Sequence, residues 1–141
     1  MNVFADTSAL YAVLDRDDQN HQTARATWDL LLKSGASLIT SNYVLVETCA
    51  LVQRRLGLDA LRILQDDIFP LLTVEWISRA QHDSAVAVVQ SAGRKGLSLV
   101  DCVSFGLMRS AGLRKAFAFD RHFVEQGFDC GFISETHGEQ S

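Results

Sequence analysis

Proline occurs once in this chain, at Pro70, and cysteine three times, at Cys49, Cys102 and Cys130. An odd number of widely spaced cysteines, each among apolar neighbours, argues against a disulfide framework and offers no paired zinc-ligand spacing. Buried, reduced thiols are the expectation. No apolar run approaches the ~20 residues that a membrane span needs. The opening, Val3-Phe4-Ala5 running straight into Asp6, has neither the basic start nor the long apolar stretch of a signal peptide. A soluble, cytoplasmic protein with no membrane partner is expected. Repeats, linkers and low-complexity tracts are also missing. The 141 residues therefore read as one domain over 1–135, with a short tail at 136–141.

Positive charge is scarce as well. Thirteen Lys and Arg face 17 Asp and Glu, a formal net charge of −4, without the basic footprint usual in a nucleic-acid binder. Four of the acids stand apart, as argued below, and the remaining 13 balance the 13 bases. The whole excess can thus be assigned to one site, where two divalent cations would cancel it.

Short β-like runs alternate with longer helical patterns. Strands are expected at Asn2–Ala5, Ser37–Thr40, Leu71–Ile77, Ala116–Phe119 and Phe128–Ile133. Helices are expected at Ser8–Asp15, Gln22–Lys33, Asn42–Leu56, Leu58–Phe69, Ser78–Ala92, Leu99–Ser110 and Arg121–Gln126. In the second of these, Ala24, Trp28, Leu31 and Leu32 share a face. Ser41 or Thr40 can cap the third, Gly57 ends it, Pro70 closes the fourth, and a Gly-Arg-Lys-Gly turn at 93–96 follows the fifth. Strands separated by helices are the signature of an α/β protein. The expectation is a three-layer α/β/α sandwich with a mostly parallel central sheet of about four to five strands.

Most acids lie in polar company, but four do not. Asp6 follows Val3-Phe4-Ala5, and Asp120 follows Ala116-Phe117-Ala118-Phe119. Glu47 has Tyr43, Val44, Ala50 and Leu51 as its helical neighbours, and Asp101 sits in Leu97-Ser98-Leu99-Val100-Asp101-Cys102-Val103. Unpaired carboxylates on buried faces are expensive. One of them has an ordinary explanation: Arg54 could serve Glu47, and Asp101 alone could be a first-turn acid favouring its helix dipole, with Ser98 as the cap. Four together, with no comparable set of bases, call for another positive charge, and a divalent cation supplies it. Asp6 and Asp120 each follow a predicted strand, so both belong at the carboxyl edge of a parallel sheet, where open α/β sheets bind ligands. Oxygen donors alone suit Mg²⁺ or Mn²⁺ rather than zinc.

Four segments, Val3-Phe4-Ala5-Asp6-Thr7-Ser8-Ala9-Leu10, Val44-Leu45-Val46-Glu47, Leu97-Ser98-Leu99-Val100-Asp101-Cys102 and Ala118-Phe119-Asp120-Arg121-His122-Phe123, occur in this order. Together they resemble the PIN-domain family of nucleases over essentially the whole chain. Many small bacterial members of that family are VapC-type toxins, held inactive by an antitoxin encoded beside them. The resemblance implies a Mg²⁺- or Mn²⁺-dependent ribonuclease that hydrolyses RNA phosphodiester bonds to a 5′-phosphate and a free 3′-hydroxyl, with an antitoxin partner and homodimerisation. It carries the four family acids onto Asp6, Glu47, Asp101 and Asp120. All four are expected in the metal set, with Asp6 and Asp101 as main ligands, Asp120 as completing a second or water-mediated set, and Glu47 also as positioning or deprotonating the water.

Substrate contacts are expected from Thr7, Ser8, Asn42 and Arg121, although Asn42 reads equally as an inert early-helix residue. Arg54-Arg55, Arg94-Lys95 and Arg114-Lys115 are further phosphate candidates or ordinary surface charges. Trp28 and Trp76 read as core, and His21 and His122 as packing or surface residues. The stretch Leu45 to Leu64 is either a dimer surface or core. Two rival readings stand beside the nuclease. One is a non-catalytic or partner-regulated binding module on the same fold. The other is an aspartyl-phosphate phosphatase, which would want an acid two positions after Asp6, where Ser8 stands.

Overall fold

Val3, Phe4 and Ala5 are consecutive, apolar and without exposed surface, so cover is needed on both sides of the strand they form. The computed structural model describes residues 1–93 and 97–132. Among them four strands form one sheet: β1 (Asn2–Ala5), β2 (Ser37–Ser41), β3 (Thr73–Glu75) and β4 (Lys115–Phe117). All neighbours are parallel, in the order β3-β2-β1-β4. The helices are α1 (Thr7–Leu14), α2 (His21–Lys33), α3 (Asn42–Leu56), α4 (Leu58–Ile63), α5 (Arg79–Ala92), α6 (Leu99–Ala111) and α7 (Arg121–Glu125). Phe4 is in register with Ala116, so Phe4 and Phe117 point to opposite faces of the sheet. Phe117 stacks with Trp28 of α2, whereas Phe4 meets Phe123 of α7, which in turn packs edge-on against Phe105 of α6. Helices therefore cover both faces, as the expected three-layer sandwich requires.

The strand order has one reversal. From β1 the chain moves outward to β2 and β3, then returns to place β4 on the other side of β1. The crevice at the carboxyl ends of β1 and β4 is thus the topological switch point. The Asp6 N–H donates to Phe117 O at 3.0 Å, locking the two strand ends together at that crevice.

Several expectations need correction, the first being that β4 ends at Phe117 and not at Phe119. The helix placed over Leu58–Phe69 is α4 followed by a π-helical turn at Leu64–Ile68 and a 3₁₀ turn at Phe69–Leu71 that contains Pro70. Leu64 and Phe69 are both buried yet five residues apart, a spacing that splits them between faces of an α-helix; the wider turn brings both inside. Strand β3 spans only Thr73–Glu75, because the Ile77 N–H leaves the sheet to donate to Asn42 Oδ1 at 2.8 Å. The last strand reduces, among the described residues, to a single parallel bridge between Lys115 and Asp129. Leu32 of α2 is exposed, leaving Ala24, Trp28 and Leu31 as its buried stripe, with Thr27. The 93–96 turn beyond Gly93, the Ile133 end of the last strand and the 136–141 tail lie outside the described residues.

Candidate active site

Each of the four acids is placed by a different local device. Asp6 leaves β1 in an extended conformation and caps α1, its Oδ2 accepting from the Ser8 N–H at 3.1 Å and from Ser8 Oγ at 2.7 Å. Asp120 does the same after β4, its Oδ1 accepting from the His122 N–H at 2.9 Å to cap α7. Ser41, not Thr40, caps α3, with the Val44 N–H donating to its Oγ, and Glu47 follows in the second turn. Ser98 caps α6 by accepting from the Asp101 N–H at 3.0 Å, which sets Asp101 in the first turn.

Ser8 joins two of these devices. Its hydroxyl donates to Asp6 and accepts from the Phe119 N–H at 2.9 Å and the Asp120 N–H at 3.3 Å. One side chain thereby ties the acid after β1 to the backbone of the acid after β4.

The electrostatics show which carboxylates share a site. Burial pushes Asp6 up to about 7; the two Ser8 hydrogen bonds oppose this, and the charges of Asp101 and Glu47 add to it. Asp101 is pushed up to about 6, first by burial and then by Asp120, with a smaller push from Glu47; the Ser98 backbone and His122 pull it back. Asp6 is 3 % exposed and Asp101 7 %, so both carboxyl groups are largely withdrawn from water. Asp101 and Glu47 therefore act on Asp6, and Asp120 and Glu47 act on Asp101, which links the four acids through Asp6 and Asp101. Neither Asp6 nor Asp101 forms an ion pair with Lys or Arg among the described residues. The Arg54–Glu47 pairing weighed above is absent from the same set. Cys130 also lies near this charge, its thiol held up at about 11 by burial and by Asp129 and Asp6.

These residues suit a hydrated hard cation. Both described hydrogen bonds to Asp6 land on Oδ2, which leaves its other oxygen for a ligand. Among the described residues no three His, Cys, Asp or Glu side chains close around a single point. A cation here would be held by one or two carboxylates, with waters and substrate phosphates completing its shell, as is usual for Mg²⁺.

The residues proposed for substrate contact are placed differently from one another. Thr7 is buried, with its hydroxyl 2.9 Å from Thr48 Oγ1, and therefore fastens α1 to α3. Ser8 is occupied as described. Asn42 accepts from Ile77, and it also lines a hollow of about 430 Å³ with Tyr43, Val46, Glu47 and Val100. Arg121 is exposed and lies 3.8 Å from Glu125 across one helical turn. Arg55 sits over the Tyr11 ring, and Lys115 pairs with Asp129 at the start of β4, the sheet edge opposite the acids. Arg94 and Lys95 lie outside the described residues. Trp28 is core, but Trp76 is 76 % exposed, which corrects its assignment as a core residue. Sequence reasoning also set His122 aside, although its ring reaches the field of Asp101; its place two residues after Asp120 was the available signal.

The PIN-domain model matches residues 3–129 of the chain. This chain belongs to the PIN-domain family. Within that family it is similar to the 23S rRNA-specific endonuclease VapC20 of Mycobacterium tuberculosis, in strains CDC 1551 / Oshkosh and ATCC 25618 / H37Rv. Each match is 32 % identical over 127 residues, covering 89 % of this chain and 95 % of the relative. The crystal structure of VapC20, described as a sarcin–ricin loop cleaving toxin, matches with a TM-score of 0.78 and 31 % identity, covering 92 % of this chain and 98 % of that one. The central sheet and its flanking helices are accordingly the PIN-like α/β fold.

Proposed function

We propose that this PIN-domain protein is a Mg²⁺- or Mn²⁺-dependent endoribonuclease and the toxin of a toxin–antitoxin pair. The observation that carries the reading is the set of four carboxylates in one electrostatic neighbourhood at the switch point, two of them buried and pushed up in pKa without a basic partner. VapC20 acts on 23S rRNA, so the sarcin–ricin loop is the first substrate to try.

When bound, the cation would neutralise charge on the phosphate oxygens and make an attacking water more acidic. Asp6 and Asp101 would hold it, and Asp120 would complete a second or water-mediated set. Glu47, half-buried at the mouth, orients the water and takes its proton. The water oxygen forms a bond to phosphorus, the bond from phosphorus to the 3′-oxygen breaks, the leaving 3′-oxygen takes up a proton from solvent, and the products carry a 5′-phosphate and a 3′-hydroxyl. A 23S rRNA substrate would be met where ribosomes are, so the cytoplasm is the proposed location; among the described residues no helix is long and apolar enough to cross a membrane. An antitoxin and a second copy of the chain are the proposed protein partners. The exposed Leu58 and Ile63 offer apolar surface for either.

The test is to incubate the purified chain with ribosomes and Mg²⁺ and to map fragment ends. A discrete large-subunit fragment with a ligatable 5′-phosphate supports the reading. Intact RNA, with the protein still binding it, favours the non-catalytic module.

A further inference from the structure

Trp76 and Val46 are, at 76 % and 69 %, the two most exposed large apolar side chains among the described residues. A single exposed apolar residue is ordinary, but these two are connected. Trp76 directly follows β3, at the carboxyl edge of the sheet that also carries the acids. Its successor, Ile77, is fastened through its N–H to Asn42 Oδ1. Asn42 and Val46 line the hollow of about 430 Å³ whose remaining walls are Tyr43, Val100 and Glu47. Tyr43 has its own partner, its hydroxyl hydrogen-bonded to the His82 ring. An indole open to solvent thus stands one residue before a backbone group pinned to Asn42, which lines an apolar hollow that also takes in Glu47, one of the four acids.

Asn42 and Glu47 are five residues apart on α3, about 7.5 Å along the axis at 1.5 Å per residue. A phosphate held at the acids would therefore put a neighbouring nucleotide of the same strand within reach of this edge. Every base has a π-face, so an exposed indole takes an unpaired base without needing its sequence.

We propose that Trp76 is a substrate-positioning residue that stacks on an unpaired RNA base next to the scissile phosphate, with the hollow at Asn42, Val46 and Val100 receiving the adjoining nucleotide. This deepens the ribonuclease reading and rests on it.

Trp28 is buried against Phe117, so a change in indole emission on binding RNA reports Trp76. The experiment titrates Asp101→Asn protein, blocked in cleavage, with a sarcin–ricin-loop hairpin and with mixed-sequence single-stranded RNA. Alone and combined with Trp76→Ala or Trp76→Phe, it is followed by emission and by labelled-RNA anisotropy. Wild type and the two single variants are assayed for cleavage in parallel. The expected result is quenching that disappears in both Trp76 variants. Affinity should fall roughly ten-fold or more for Trp76→Ala and by far less for Trp76→Phe. In cleavage, Trp76→Ala should raise KM with kcat nearly unchanged. Equal RNA affinity of the alanine variant, or unquenched emission on binding, overturns the proposal while leaving the ribonuclease reading intact if the wild type cuts. An alanine variant that binds RNA normally but loses self-association in sedimentation overturns it in favour of a protein interface. A wild type that neither binds nor cuts any RNA overturns both.

Discussion

Ser8 Oγ donates to Asp6 Oδ2 at 2.7 Å and, through the same oxygen, accepts from the backbone N–H groups of Phe119 and Asp120. A hydroxyl has one donor and two acceptor positions, and all three are used here to hold the ends of β1 and β4 in one arrangement.

Replacing Ser8 with alanine should therefore have two measurable effects. Stability should fall by about 1–3 kcal/mol, since the Phe119 and Asp120 N–H groups and the Asp6 carboxylate lose a partner together. The rising limb of the pH–activity profile should also move to higher pH, because Ser8 is what opposes the burial-driven rise of Asp6. Ser8→Thr keeps the hydroxyl and should retain much of both properties. Chemical denaturation and a pH–rate profile with Mg²⁺ present read the two effects separately.

The metal-free protein should be more stable in mild acid than at neutral pH. Asp6 and Asp101 are held at about 7 and about 6, above the ordinary 3.8. Between about pH 4 and pH 7 the folded state thus binds more protons than the unfolded chain, and stability falls as pH rises through that window. In EDTA, Tm should decline from pH 5 to pH 8. Asp6→Asn, which keeps an oxygen for both Ser8 hydrogen bonds, should flatten the decline and melt higher than wild type at pH 8. Mg²⁺ binds the ionised carboxylates, so the Tm increase it causes should be larger at pH 8 than at pH 5. A Tm rising with pH in EDTA would contradict the buried-acid account.

Much of this arrangement is written in local pattern. The boundaries of α3, Asn42 to Leu56, can be read directly, because a serine cap at one end and Gly57 at the other bracket a continuous helical run. Asp6 and Asp120 stand out because each ends an apolar run, and strand ends in a parallel sheet converge by topology. Other features depend on contacts between distant residues. The π-helical turn at Leu64–Ile68 answers a packing demand shared by Leu64 and Phe69. Strand β3 stops early because Asn42, 35 residues before Ile77, captures its N–H. Thr7 reads as a hydroxyl beside an acid, yet its partner is Thr48, 41 residues on. The exposure of Trp76 follows from the truncated strand and had no signal of its own.

Glu47 and Asp101 should separate chemistry from metal binding. Glu47 is half-buried, with no hydrogen bond or ion pair among the described residues, so Glu47→Gln should leave stability within about 0.5 kcal/mol of wild type. Its cleavage rate should drop about 10²-fold or more if it serves as the general base. Mn²⁺ affinity, read by calorimetry, should fall less than in Asp6→Asn or Asp101→Asn. Equal loss of metal affinity in all three variants would make Glu47 a ligand instead of the base.

The most direct test of the central claim is cleavage of ribosomal RNA by wild type and by Asp101→Asn, each with Mg²⁺, Mn²⁺ or EDTA, after circular dichroism has shown both proteins folded. The account predicts a discrete cut by wild type with either metal, none in EDTA and none by the variant under any condition. Cleavage that survives EDTA, or that the folded variant performs at the wild-type rate, would contradict it.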